Sequence, residues 1–198
     1  MAGPHEQLEH AEHAEHAVHG GNKKIALMIA VLALFLAFSE TLGKSAQTTA
    51  ISENVASSNL WAFFQAKTIR MTVLRASAER LELDSSAIAD EAVKTRMLKI
   101  ADDWKKTAAR YDDEPSTGEG RKQLSARAQE SEHLRDLTMA RYHHYEIASA
   151  AYQIGIVLAS AEVITAIVAL GWLAGFLGVA GLSFTAIGLW APHAVHLF

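Results

Sequence analysis

Two runs of apolar residues bracket a long stretch in which apolar positions recur in a rhythm instead. The later run, Ile147 to Ala191, holds one formal charge, Glu162, in 45 residues. A helix needs roughly 20 apolar residues to cross a bilayer core of about 30 Å, so this run predicts two crossings. Gly171 and Gly175 fall near its middle, where a tight helical hairpin would turn. Trp172 and Trp190 sit where interfacial anchors belong, and Pro192 marks the stop. The expected spans are 147–170 and, after the turn, 173–190, with turn and third span together occupying 171–191. The earlier run, Ile25 to Phe38, follows Lys23 and Lys24. Its 14 residues would also suit the core of a signal peptide, and Ala37-Phe38-Ser39 meets the small-residue cleavage rule. The 22 residues ahead of the lysines are rich in Glu and His, unlike a compact basic leader, and favour an uncleaved span over 25–42.

Between the runs, no glycine or proline occurs from Lys44 to Glu114, nor from Arg121 to Ile154. Such stretches favour long helices. Pro115-Ser116-Thr117-Gly118-Glu119-Gly120 is a concentrated turn signal between them. Leu60, Phe64, Lys67, Met71, Leu74, Ala78 and Leu81 alternate spacings of four and three, and only Lys67 offends the apolar seam. Val93, Met97, Ile100, Trp104, Thr107 and Tyr111 repeat the pattern with Thr107 as the exception. Seams of this kind belong to coiled coils or antiparallel bundles. With Asp84-Ser85-Ser86 offering caps, the middle predicts helices near 45–83, 87–112 and 121–146, the first continuing the first span and the last running into the second. An unbroken helix from Ile25 to Leu83 would reach about 88 Å, and Gly43 with the polar stretch Ser45–Ser52 could kink it. Leu60, Trp61, Phe63 and Phe64 are too rich for a solvated face. Both an intramolecular core and a subunit interface remain open for them.

The fold class is therefore all-α. It is an integral membrane protein with three transmembrane helices and a soluble, long-helix, coiled-coil-like insert over 43–146, flanked by tails at 1–24 and 192–198. Composition fits this division. The 50% hydrophobic content averages a lipid part and a water part, and Lys44 to Glu146 balances 16 Lys and Arg against 16 Asp and Glu. A net charge of -4 gives no electrostatic case for nucleic acid. The absence of cysteine excludes disulfides, zinc-thiolate sites, thiol nucleophiles and iron-sulfur clusters.

Candidate chemistry is sparse. His10, His13, His16 and His19 recur every third residue in a Glu-His-Ala repeat. Neighbouring pairs could hold a divalent metal ion, with Glu9, Glu12 or Glu15 adding oxygen ligands and oligomerisation gathering several tails. A solvated tail and a pH-sensing tail are the other readings. Glu162 is costly inside a span and marks either a site for an ion or proton or an interhelical pair. In an antiparallel arrangement its depth matches Lys24 to Met28, and Lys24 could snorkel toward it as a pair. Gly155 with Ala159, Gly171 with Gly175, and Ala174 with Gly178 have the spacing that lets helices approach closely. Gly43-Lys44-Ser45 lacks the first glycine and strand of a phosphate loop. Glu130-Ser131-Glu132-His133 is half of a di-iron motif without its second copy. His143-His144 fits an interfacial belt better than a ligand pair. No catalytic grouping stands out, and no cofactor is expected.

The repeat Leu8 to His16, then Asn22-Lys23-Lys24-Ile25-Ala26-Leu27, Ser39-Glu40-Thr41-Leu42-Gly43-Lys44-Ser45-Ala46 and Asn59 to Lys67 resemble the uncharacterised bacterial family of domains of unknown function numbered 4337. The resemblance covers nearly the whole chain. It implies a multi-pass protein of the bacterial inner membrane with one amino-terminal and two carboxy-terminal spans, and it supplies no catalytic residues. The expected role is a homo-oligomeric structural or scaffolding component of the bilayer rather than an enzyme. The runner-up is an ion-conducting or metal- and pH-responsive protein using Glu162 and the histidine tail.

Overall fold

The computed structural model describes residues 23–194, which form four helices with no strand among the described residues. These are α1 (Lys23–Ser86), α2 (Glu91–Asp112), α3 (Arg121–Thr165) and α4 (Val168–Trp190). The described residues up to Ala50 join those from Asp136 onward in one compact unit, and Ile51–Arg135 form a second. The histidine repeat lies outside the described residues.

α1 runs without interruption, so the first apolar run and the first insert helix are one element. Neither Gly43 nor Ser45–Ser52 breaks it. Thr41, Thr48 and Thr49 each donate their hydroxyl to the carbonyl four residues back, which satisfies the polar side chains inside the helix itself. The helix end differs from the expected one. Ser85 and Ser86 donate to Glu82 O and Leu83 O, closing α1 instead of capping α2. Asp90 is the cap, accepting from Ala92 N at 2.9 Å and Val93 N at 3.3 Å, so α2 starts at Glu91 rather than near 87.

In the first unit, Ile25, Ile29, Leu32 and Leu36 of α1 pack against Ala148, Tyr152, Ile156 and Ala159 of α3 and Ala174 of α4. The opposite face of α1 is apolar too, with Leu27, Val31, Leu34 and Phe38 exposed, as are Val157 of α3 and Phe176 and Val179 of α4. A helix apolar all round suits a core or a bilayer, and three helices here are long and apolar enough to cross one. The reversal between α3 and α4 is made by Ala166 and Ile167, not by Gly171 and Gly175. Ala166 takes a left-handed φ of 57° and donates its N–H to Glu162 O at 2.8 Å, closing α3. Gly171 instead belongs to a close-packing stripe. Gly171, Ala174, Gly178, Gly181, Thr185 and Gly188 follow spacings of three and four along α4. A Cβ on Gly178 would lie 2.8 Å from Leu32 Cδ2, and one on Gly181 2.6 Å from Tyr152 Cε1. Gly175, the expected partner of Gly171, has nothing within 4 Å.

In the second unit the α1 seam turns inward as its spacing predicts, with Lys67, Met71 and Ala78 buried. α2 sits about one residue out of the expected phase. Its buried positions are Ala101 and Ala108, while Val93 and Ile100 are exposed. Small alanines let the helix backbone come close, and the larger residues are left on the flank. The turn at Pro115–Gly120 forms as expected. Lys122 Nζ and Gln123 Nε2 donate to the two oxygens of Asp113 at 3.0 and 2.7 Å, clasping both ends of the loop. Gln123 first, and Lys122 with it, hold the Asp113 carboxyl below its usual pKa, and Asp113 raises that of Lys122.

Candidate functional site

Lys24 of α1 and Glu162 of α3 face one groove of about 650 Å³ on the first unit. Ile25, Met28, Trp172, Phe176 and Val179 give it an apolar lining. The carboxylate is fitted rather than free. A Cβ on Gly171 would sit 2.7 Å from Glu162 Cδ, so the glycine makes the space that the side chain fills. Glu162 Oε2 is shielded from water and has no hydrogen-bond partner. The sequence placed Lys24 at the depth of Glu162, and the structure puts both on one groove, but no ion pair between them occurs among the described residues. An acceptor oxygen left in this state costs about 1–3 kcal/mol or more.

Toward the other end of the same unit lies a more polar pocket of about 400 Å³, lined by Ser39, Glu40, Lys44, Tyr142, Glu146 and Gln153 among others. Gln153 Nε2 donates to Glu40 Oε1 at 3.2 Å, and Ser39 Oγ to Tyr145 O at 3.0 Å. Burial, with the Glu146 carboxylate next, raises the pKa of the Tyr142 phenol. Beside this pocket His144 is only 1% exposed. Its Nε2 lies 3.0 Å from Pro192 O and its ring stacks on Phe184, so it ties α3 to the end of α4. The carbonyl can only accept, which makes Nε2 the donor. His143 points to Glu146 at 3.8 Å. The two rings therefore have different partners.

The second unit holds a box of two cations among aromatic rings. Lys67 Nζ stands over Tyr111 and Phe63, and the Arg121 guanidinium over Phe64 at 4.8 Å with Nη1 donating to Asp112 Oδ1 at 2.9 Å. Glu132, half of the discarded di-iron motif, accepts from Trp61 Nε1 at 2.8 Å. Among the described residues, no three His, Asp or Glu side chains are grouped to share a metal ion. Neither the box nor the fit of Gly171 to Glu162 is legible in the sequence alone. The box joins residues far apart in the chain, whereas Gly171 is nine positions from Glu162 and meets it only through the reversal between α3 and α4; the lone charges at Lys67 and Glu162 are the only signals of either.

A model of a domain of unknown function, DUF4337, matches residues 21–191. The chain belongs to this family. No curated protein and no solved structure matches it. The DUF4337 match takes in all four helices, Lys24, Glu162 and both pockets. It begins after His19, so the histidine repeat falls outside it.

Proposed function

We propose that this DUF4337 chain is a multi-pass membrane protein, set in the bacterial inner membrane that its family resemblance implied, and that it acts there as a homo-oligomeric structural component rather than an enzyme. The observation that carries the oligomer is a stripe on the outward side of α1. Val55, Asn59, Ala62, Ala66, Ile69, Val73 and Ala76 alternate spacings of four and three with no charge among them. Val55, Ile69 and Val73 are 54%, 65% and 57% exposed. A helix face turned to water normally carries charge, and an uncharged 4-3 stripe with one Asn suits self-pairing, where a buried Asn fixes register. What supports a packed anchor over a pore within one copy is the core of the first unit. Ile29, Tyr152 and Ile156 close its interior, and Tyr152 OH is already engaged by Thr185 at 3.2 Å.

The chain has no cysteine, so single cysteines can be read without background. Under mild oxidation in native membranes, Ile69→Cys and Val73→Cys should form disulfide-linked dimers, while Arg75→Cys, exposed but off the stripe, should not. Absence of dimers from both stripe variants, or equal dimer from Arg75→Cys, would sink the oligomer. Extraction of the wild type by alkaline carbonate would sink the membrane reading.

A further inference from the structure

The groove beside Glu162 combines an apolar lining with one group of each charge sign. Met28 of α1 and Trp172, Phe176 and Val179 of α4 line it, and Lys24 and Glu162 share it. From Val168 to Val179 α4 rises about 16 Å, so the apolar lining extends well inward from the end where α3 stops and α4 starts. Lys24 precedes the first apolar run and Trp172 stands in the second turn of α4. Lysines and tryptophans at such positions meet lipid headgroups. Glu162 Oε2 is packed against Gly171, which makes room for it, so the carboxylate reaches a ligand in the groove through its other oxygen. Lys24 shares the groove without pairing to it. One ligand answers all of these at once if it brings a donor to Glu162, an anion to Lys24 and an alkyl chain to the groove.

We propose that this groove binds a phospholipid with a primary-ammonium headgroup, its ammonium donating to Glu162, its phosphate meeting Lys24 and one acyl chain lying along Met28, Phe176 and Val179. Charge complementarity selects this occupant. A choline headgroup carries no N–H to give the carboxylate, and a glycerol headgroup leaves Glu162 facing an anionic lipid without a cation. The inference rests on the membrane reading above.

The test uses the full chain purified in detergent and titrated with phosphatidylethanolamine, phosphatidylcholine and phosphatidylglycerol of identical acyl chains, with bound lipid counted by intact-complex mass spectrometry. The ethanolamine lipid should bind about ten-fold more tightly than either other lipid, as expected for a charge-assisted hydrogen bond. Glu162→Gln should erase the preference for ethanolamine over choline. Lys24→Gln, at an exposed position where folding is not at stake, should weaken all three lipids through their shared phosphate. Equal binding of the three lipids by the wild type, an ethanolamine preference that survives Glu162→Gln, or binding indifferent to Lys24→Gln overturns the proposal. Alkaline carbonate extraction of the same membranes separates the two ideas. A chain retained in the membrane but blind to headgroup defeats the lipid site alone, whereas a chain that washes out defeats the membrane reading and the site with it.

Discussion

Lys67 is 6% exposed, yet its ammonium has partners on three sides. The rings of Phe63 and Tyr111 lie 5.5 and 4.9 Å away and the Glu119 carboxylate 3.7 Å. Glu119 is itself well exposed, so the ion pair alone contributes little. The aliphatic stem and the ring faces carry most of the contact. Lys67→Met keeps that stem and drops the charge, and it should change stability by less than about 1 kcal/mol. Lys67→Ala leaves the space beside Tyr111 empty and should cost about 2–3 kcal/mol. Denaturant unfolding followed by circular dichroism separates the two, and equal losses would put the stabilisation in the charge instead. In the sequence Lys67 is merely the residue that spoils an apolar seam, because Tyr111 and Glu119 are 44 and 52 positions away. Glu162 is the reverse case. One charge in a long apolar run is visible from composition, but the glycine that accommodates it becomes legible only once α3 and α4 are packed.

Counted in steps of four and three from Ile25, the inward seam of α1 reaches Ser85 without a skip, through Ser39, Gly43, Ala46, Ala50 and Ser57. In the sequence the seam is legible only from Leu60 to Leu81, because small and hydroxyl residues do not announce one. The same weakness explains the phase error in α2, where buried alanines lose to exposed Val93 and Ile100 in any hydrophobicity count. It also explains the glycines of α4. Gly171 and Gly175 look like a close-packing pair or a turn, while the working stripe skips Gly175 and uses Gly178, Gly181 and Gly188. The stripe is directly testable. Gly181→Ala would place its methyl against the Tyr152 ring and should cost about 1–3 kcal/mol. Gly175→Ala meets open space and should be neutral or gain up to about 1 kcal/mol of helix propensity. Thermal unfolding of the two variants in detergent reads the contrast. Equal melting shifts would mean that the phase of α4 is wrong.

Three crossings, as proposed, would fix a topology for the molecule as a whole. From Ile147 to Thr165 α3 rises about 28 Å, and the 23 residues of α4 rise about 35 Å, lengths that bracket a hydrocarbon core of about 30 Å. Only Ala166 and Ile167 separate them, so α4 must return toward the side from which α3 came. The contacts agree with that course, since Glu162 meets Gly171 near the reversal while His144 meets Pro192 at the far ends. With α1 as the third crossing, Lys23 should lie on one side of the membrane, and Ser58 and His193 together on the other. The lysine pair at the start of α1 competes with Lys44 and the arginines of α3 for the cytoplasmic side, so charge fixes the relation among these positions less firmly than span count does. Lys23→Cys, Ser58→Cys and His193→Cys, each introduced singly into a chain without cysteine, can be labelled with an impermeant maleimide in sealed vesicles. Matching accessibility for Ser58→Cys and His193→Cys, opposite to that of Lys23→Cys, is the expected result. If Ser58→Cys and His193→Cys label from opposite sides, the α3–α4 hairpin does not cross and return, and His144 and Pro192 could not meet in the membrane-bound protein.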